Sequence, residues 1–393
     1  MLLSIALIML AGMTLGWICK KIRFPSLFGM IITGIILGPQ MLNLIDNSIL
    51  GISSELRRIA LIIILLRAGL TLNINDLKKV GRPAILMCFV PACFEIAGMI
   101  ILAPALLGVS ILDAAIIGSV VAAVSPAVIV PKMIKLIEDG YGTNNGIPQL
   151  ILAGASVDDI FVIVIFTTFT GLAAGDKISV LNFVNIPISI ITGIVAGILI
   201  GLLLCVFFTK FHIRDTVKVL IILSISFITV AVEDNYSEII PFASLIAVMF
   251  LGISLKKSKE KTAQRLASKF NKLWIGAEIL LFVLVGASVA LDSALSAGIT
   301  AVILIFGVLI FRAAGVFVCL LGTRLNRKER IFCILSYLPK ATVQAAIGGL
   351  PLSMGLSCGN IVLTVSVLSI LITAPLGAFA IDLSYKKCLC KKS

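Results

Sequence analysis

The chain has 393 residues, of which 60% are hydrophobic and only 13% are charged, and its formal net charge is +13. Soluble domains carry about 25% charged residues, so this composition excludes an ordinary soluble protein and indicates a polytopic membrane protein. The positive charge does not indicate a nucleic-acid partner, because the basic residues lie in short segments between apolar runs.

Apolar runs long enough to cross a bilayer follow one another along almost the whole chain. The first run resembles a signal peptide, but it lacks a basic start and a small-residue cleavage site, so we predict that it is retained. We predict about thirteen transmembrane helices, at residues 1–19, 26–45, 58–74, 83–104, 110–135, 147–173, 180–208, 217–233, 239–255, 273–291, 297–322, 331–355 and 361–383.

Lysine and arginine are concentrated in every second loop between these runs. The odd-numbered loops and the C-terminal tail contain most of them, whereas the even-numbered loops contain only Arg57, Arg58 and Lys177. Positively charged loops face the cytoplasm, so we predict an N-terminus outside the cell and a C-terminus in the cytoplasm. Residues 256–272 also have the pattern of a basic amphipathic helix on the inner membrane surface, and we expect the basic loops to attract anionic lipids.

Two adjacent aspartates, Asp158 and Asp159, lie inside the sixth apolar run. A carboxylate in hydrocarbon is costly, so an intramembrane acid predicts a functional site. Carboxylate oxygens bind small cations and also accept protons. We therefore predict that a cation and a proton compete for Asp158 and Asp159. A static buried ion pair is the alternative, but two acids here face at most one obvious lysine, Lys340.

The two halves of the chain repeat one pattern of charges and prolines. Glu95 in the fourth run corresponds to Arg312 in the eleventh, and each half then has a proline-interrupted run, at Pro126 and at Pro339. Proline frees a backbone carbonyl, and matched breaks in two inverted halves predict a transport site at the membrane midplane. A simple proline kink is the alternative for either break alone.

The remaining intramembrane charges favour different roles. Arginine stays protonated, so Glu95 and Arg312 suit a permanent structural ion pair. Lysine can lose its proton, so Lys340 near an aspartate suits a coupling switch.

Four segments, VAAVSPAVIVPKM, GYGTNNGIPQLILAGASVDDI, YLPKATVQAAIGGLPL and ILITAPLGA, resemble in content and order the monovalent cation:proton antiporter superfamily. The resemblance is greatest to its NHA (sodium/hydrogen exchanger domain-containing) branch and spans about residues 59–378. It implies an all-α polytopic antiporter (NhaA-like) fold of about 13 transmembrane helices, in two inverted six-helix repeats with two crossed discontinuous helices. It also implies a homodimer and an elevator-type alternating-access cycle.

The resemblance assigns roles to individual residues. Asp159 is implied as the main carboxylate for cation and proton, and Asp158 as a second one that Lys340 holds until a cation arrives. Ser125 and Ser156 are implied as further cation ligands, and Glu95 with Arg312 as the buried pair of this branch. The implied domains are dimer-domain helices at 1–82 and 213–296 with the basic interfacial segment 256–272, core-domain helices at 83–173 and 297–383, a linker helix at 174–212 and a cytoplasmic tail at 384–393.

We therefore predict a transporter that exchanges sodium or lithium for protons, with sodium bound at Asp158 and Asp159, in a bacterial plasma membrane. No cofactor and no enzymatic activity are expected. A potassium/proton antiporter and a sodium-coupled organic-anion symporter of similar architecture remain alternatives. A cation channel is less favoured because no repeated filter motif is present, and an aspartyl protease because its two acids would lie on separate helices.

Overall fold

The computed structural model describes residues 1–22, 24–71, 81–173, 180–211, 213–236, 242–289 and 291–391. Within these ranges the chain forms 18 helices and no β-strand, apart from one isolated bridge between Tyr141 and Lys391. The predicted all-α architecture is therefore confirmed for the described part of the chain.

Most helices correspond to predicted apolar runs. The first half contains α1 (Leu2–Lys21), α2 (Ser26–Leu37), α3 (Asn47–Gly51), α4 (Ser53–Thr71), α5 (Arg82–Met87), α6 (Val90–Leu107), α7 (Ile111–Val121), α8 (Pro126–Glu138) and α9 (Ile147–Ala173). The second half contains α10 (Val180–Lys210), α11 (Asp215–Tyr236), α12 (Ser244–Ser258), α13 (Glu260–Ala287), α14 (Leu291–Cys319), α15 (Arg327–Ser336), α16 (Thr342–Ile347), α17 (Leu350–Ser353) and α18 (Gly359–Cys388).

Nine spans in the described ranges are long and apolar enough to cross a membrane, counting α5 with α6 and α7 with α8 as one span each. Every predicted run overlaps at least one helix, although the predicted ends at 72–74 and 239–241 lie outside the described residues. Because α2 has only 12 residues and α12 only 15, the figure of thirteen transmembrane helices stays a prediction.

Both predicted helix breaks are present. The first separates α7 from α8 at residues 122–125, and Pro126 occupies the first turn of α8, where a helix needs no backbone N–H donor. The second separates α15 from α16 at residues 337–341 and contains Pro339. The Ser125 N–H donates to the Pro339 carbonyl at 2.8 Å, so the two breaks are in direct contact.

The basic segment 256–272 is mostly part of a longer helix. Helix α13 runs from Glu260 to Ala287, so its basic first half continues directly into the following apolar half. No proline interrupts it, and its buried side chains Ala263, Leu266, Phe270 and Trp274 keep the spacing of a single helical face. Helical structure is thus confirmed for residues 260–272, but not as a separate helix over 256–272, since residues 256–258 are the end of α12. The place of this segment on a membrane surface stays a prediction.

Contacts divide the chain into two units. The first comprises residues 1–55, 73–175 and 279–393, and contains both helix breaks and both aspartates. The second comprises residues 56–72 and 176–278, in which α10 packs closely on α12. The predicted assignment of ranges to dimer and core domains stays a prediction.

Three polar segments meet in the first unit next to α9. The loop before α9 receives the C-terminal tail, because the Gly142 N–H donates to the Cys390 carbonyl at 2.9 Å. On the same loop, the Asn145 amide donates to Glu329 at the start of α15 at 2.8 Å. These segments are the fifth loop, the eleventh loop and the tail, which the lysine and arginine pattern also assigns to one side of the membrane.

Candidate functional site

The two aspartates lie near the middle of α9, a helix of 27 residues. Asp158 is fully buried, and Asp159 is slightly more accessible. One turn before Asp158, Gly154 leaves room for the Tyr337 hydroxyl group, which would overlap any Cβ at that position. The glycine therefore allows the end of α15 to approach the aspartate-bearing helix.

Arg312 on α14 is the centre of the buried charges. Its Nη1 donates to Glu95 Oε2 at 2.7 Å, and its Nη2 donates to Asp158 Oδ2 at 3.1 Å. All three side chains are completely buried. The structure thus brings Glu95 and Arg312 together as expected, and adds Asp158 to the pair.

The same guanidinium also reaches both helix breaks. Its Nε donates to the Tyr337 carbonyl at 2.6 Å in the second break, and Nη1 also donates to the Ala122 carbonyl in the first. Both carbonyls lie where a helix has ended, so they lack an intrahelical donor. Arg312 therefore joins the two breaks to the carboxylates.

Lys340 has a different partner from the one predicted. Its ammonium group contacts Glu95 Oε2 at 2.6 Å, whereas the hydrogen bonds to Asp158 come from Arg312 and from the Val124 N–H at 2.8 Å. The expectation that Lys340 holds Asp158 is therefore wrong in this structure. The physical reason is that a planar guanidinium can span two carboxylates, which leaves the single ammonium of Lys340 to Glu95.

Several buried oxygens have no hydrogen-bond partner among the described residues. Those on the site residues and on the segments of the two breaks are Asp158 Oδ1, Asp159 Oδ1, Glu95 Oε1, Ser125 Oγ, Tyr337 Oη, Thr342 Oγ1 and Gln344 Oε1, and Gln149 Oε1 on α9 is another. Buried polar atoms are normally paired, so this concentration of acceptors beside the breaks fits a site that receives a cation or a proton.

The charges of the cluster do not balance. Among the residues that the structure describes, Glu95, Asp158 and Asp159 face two cationic groups, Arg312 and Lys340. With all five ionised, one negative charge is left over. Asp159 forms no ion pair with any residue that the structure describes, so we assign the surplus negative charge to it.

The remaining predicted residues are placed as follows. Ser125 precedes Pro126 in the first break, and Pro339 precedes Lys340 in the second. Ser156 belongs to α9, one turn before Asp159, but its side chain lies outside the described part of the structure. No group of three or more His, Cys, Asp or Glu side chains that could hold a resident metal ion occurs among the described residues.

Sequence reasoning missed three polar residues near the breaks. Gln344 on α16 donates to carbonyls at the end of α7, Tyr337 supplies a carbonyl to Arg312, and Thr373 on α18 accepts from the Lys340 N–H at 2.9 Å. The sequence signal for Tyr337 and Gln344 is a polar residue close to Pro339 in an otherwise apolar run, whereas the contact of Thr373 with Lys340 is visible only in the structure.

Comparisons with known proteins agree with this arrangement. The family model described as sodium/hydrogen exchanger, transmembrane, matches residues 5–383. The chain is 33% identical to sodium/hydrogen exchanger 9B2 of Mus musculus over 408 aligned positions, covering 97% of this chain and 73% of that protein. It is also 33% identical to sodium/hydrogen exchanger 9B2 of Homo sapiens, covering 91% of this chain and 68% of that protein.

A solved structure supports the fold. The sodium proton antiporter MjNhaP1 from Methanocaldococcus jannaschii superposes with a TM-score of 0.85 at 20% identity, covering 98% of this chain and 97% of that one. The predicted antiporter fold and the integral-membrane location are thereby confirmed. The sequence relatives compared above are mammalian, which contradicts the predicted bacterial source, and we do not retain it.

Proposed function

This chain belongs to the sodium/hydrogen exchanger family, and we propose that its exchange of sodium for protons takes place at Asp158 and Asp159. Members of this family are transporters and not enzymes, which removes the protease alternative. Sodium–proton exchange is likewise favoured over the channel and the organic-anion symporter. Among cations, we expect sodium and lithium to be exchanged for protons and potassium to be a poor substrate.

The observation that carries the proposal is the uncompensated carboxylate beside the two helix breaks, which are in direct contact. One sodium ion or one proton neutralises the single surplus charge of the cluster, and the two cannot do so together without excess positive charge. Asp158 Oδ1 and Asp159 Oδ1 are buried acceptors without a partner among the described residues, so either ligand would find free oxygen atoms there. Competition for one charge is the physical basis of exchange.

We assign the exchanging role to Asp159. Asp158 is held by Arg312 and by the Val124 N–H, so its charge is already compensated. Protonated Asp159 releases its proton to water when sodium binds, and takes a proton again when sodium leaves. Asp158 and Ser125 serve as neighbouring oxygen ligands, and Ser156 on the same helix is a further candidate.

Several finer features belong to the same proposal. We propose an elevator-type cycle in which the crossed breaks carry the site between the two sides, a homodimer, and an N-terminus outside with a C-terminus in the cytoplasm. The contact between Ser125 and Pro339 supports movement of both breaks as one body. The basic first half of α13 supports attraction of anionic lipids.

The test is proton flux in proteoliposomes with an acidic interior. Sodium or lithium added outside is expected to dissipate the pH gradient, and potassium to have little effect. Asp159→Asn is expected to abolish this flux while the protein still folds, because a neutral amide costs less to bury than a carboxylate. Asp382→Asn, at an ion pair with Lys132 outside the cluster, is the matched control and should transport normally.

Two results would defeat the proposal. Absence of cation-dependent proton movement in folded wild-type protein would refute exchange itself. Normal exchange by Asp159→Asn would show that the exchange site is formed by other residues.

A further inference from the structure

Helix α18 forms a seat for the second helix break. The hydroxyl oxygen of its Thr373 accepts a hydrogen bond from the Lys340 N–H at 2.9 Å. One turn further along α18, a Cβ atom at Gly377 would overlap the Pro339 ring, so the glycine makes room for that ring. Two positions on one face of α18 therefore hold two consecutive residues of the break.

The Lys340 N–H depends on this hydroxyl because the break leaves it outside a helix. Lys340 lies between the end of α15 at Ser336 and the start of α16 at Thr342. Lys340 and Thr373 are each 1% exposed, so water has little access to replace the hydroxyl. A buried N–H without an acceptor is costly, and one side chain of α18 therefore fixes the backbone of Lys340.

Thr373 differs in this respect from a threonine that bonds within its own helix. The hydroxyl of Thr170, buried on α9, donates to the Phe166 carbonyl four residues earlier. Such a local bond is common for threonine in helices and links nothing beyond the helix. The Thr373 oxygen instead receives a donor from 33 residues earlier in the chain, so its contact joins two separate elements.

The other end of Lys340 lies in the charged cluster. Its ammonium group contacts Glu95 Oε2 at 2.6 Å, and Arg312 donates to the same oxygen at 2.7 Å. Among the described residues, the charged groups that face the ammonium are Glu95 on α6, Arg312 on α14 and Asp158 on α9. Lys340 is thus held at both ends, because Thr373 fixes its backbone and Glu95 binds its ammonium.

We propose that Thr373 is a positioning residue of the exchange site, which keeps the Lys340 ammonium against Glu95 by fixing the Lys340 backbone. This inference rests on the proposed exchange at Asp158 and Asp159. A positive charge near these acids favours their ionised form, so the position of Lys340 sets the pH at which sodium displaces the proton. Without the Thr373 oxygen, the Lys340 backbone is released and its ammonium lies farther from the carboxylates.

The test compares pH profiles of sodium-driven proton flux in proteoliposomes. Thr373→Val removes the hydroxyl oxygen at nearly unchanged size, and the pH of half-maximal exchange is expected to rise by about half a unit. This shift is smaller than the one expected for Lys340→Gln, because the ammonium group is displaced and not removed. Thr373→Ser keeps the oxygen and should restore the wild-type profile.

A double substitution separates positioning from a structural role. In a Lys340→Gln background there is no ammonium group to position, so Thr373→Val should cause no further shift of the midpoint. Thr170→Val is the matched control, since it removes a buried threonine hydroxyl from α9 and should leave the midpoint unchanged. Thr373→Ala removes the same oxygen with a smaller side chain, so it tests the proposal if valine prevents folding.

The outcomes separate this inference from the proposed function. An unmoved midpoint in Thr373→Val, with or without lower thermal stability, overturns the inference while exchange at the aspartates stands. An equal shift in the Lys340→Gln background also overturns it, because Thr373 would then act without Lys340. Wild-type protein that exchanges no sodium for protons overturns both.

Discussion

Arg312 has more partners than the sequence suggested. It donates to two carboxylates, Glu95 and Asp158, and to the carbonyls of Ala122 and Tyr337. Arginine suits this position because it offers five N–H donors in a rigid plane and stays charged. A charge that cannot be lost therefore holds together groups from four separate segments of the chain.

Substitutions at Glu95 and Arg312 should differ in cost. Arg312→Ala removes the one cationic partner of Asp158 among the described residues and the side-chain donor of two carbonyls, and leaves Glu95 with Lys340 alone. Glu95→Ala leaves Arg312 with three other partners but takes the carboxylate from Lys340. Removal of one partner of a buried pair costs about 3–5 kcal/mol, and we expect Arg312→Ala to exceed Glu95→Ala. Glu95→Leu combined with Arg312→Met should recover only part of the loss, because Asp158 keeps the Val124 N–H but no cation, Lys340 loses its carboxylate, and both carbonyls lose their side-chain donor. Thermal unfolding in detergent measures this cycle, and additive effects of the single changes would exclude direct pairing.

Lys340 is expected to influence the pH dependence of exchange. Its ammonium contacts Glu95 within the cluster, so Lys340→Gln removes a positive charge beside the carboxylates. Protons then become harder for sodium to displace, and the pH of half-maximal exchange should rise by roughly one unit. Lys340→Met should do more harm, because it offers Glu95 no hydrogen bond in place of the ammonium.

The measurement is a pH profile of sodium-driven proton flux in matched liposomes. Lys132→Gln is the control, since Lys132 pairs with Asp382 away from the cluster. An unchanged profile for Lys340→Gln would make Lys340 a bystander.

Sequence alone could identify the charged residues of this cluster but not all of their contacts. Apolar surroundings made Glu95, Asp158, Asp159, Arg312 and Lys340 conspicuous, because charge in a membrane is costly. Which carboxylate meets which cation depends on ångström distances between helices that are far apart in the sequence. For that reason the link between Glu95 and Arg312 was foreseen, whereas Lys340 was assigned to the wrong acid.

At the scale of helices, the prolines in the sequence indicated where two helices are interrupted. Pro126 and Pro339 each lack a backbone N–H, so they indicate where a carbonyl loses its hydrogen bond within a helix. The structure has a helix break at each of these two prolines. The side chains that satisfy these groups could not be foreseen. Gln344 is uncharged and common in helices, so its role becomes visible only when its distance to α7 is known.

The packing of α10 on α12 provides a test within the second unit. Three glycines on α10, four residues apart, face α12, and a Cβ at Gly197 would overlap the carbonyl of Ala247. We expect Gly197→Ala to destabilise the protein by about 1–3 kcal/mol, because the helices would have to separate. The measurement is the thermal unfolding midpoint in detergent.

Gly51→Ala is the matched control for this change. A Cβ at Gly51 meets nothing within 4 Å, so the same substitution should leave the unfolding midpoint nearly unchanged. Equal midpoints for the two variants would show that α10 and α12 are not packed as closely as described.

At the scale of the whole molecule, the order of apolar runs and motifs predicted the fold. Three sequence features carried this prediction: the length of each apolar run, the alternation of basic and non-basic loops, and the matched proline breaks. All three are visible in the sequence without knowledge of any interatomic distance. The division into units is different, because it depends on which helices touch. Residues 1–55, expected in a dimer domain, belong to the same contact unit as both breaks, and this grouping has no signature in composition.

The single surplus charge of the cluster has an electrical consequence. Moving one elementary charge through 100 mV takes about 2.3 kcal/mol, but a cluster neutralised by one sodium ion or one proton carries no net charge as it moves. Membrane voltage then does no work on either loaded form. With the voltage set by a potassium gradient and valinomycin, the exchange rate should be the same at zero and at about −100 mV. A steep voltage dependence would mean that a second proton travels in each cycle. Without it, only the sodium and proton concentrations on the two sides decide the direction of transport.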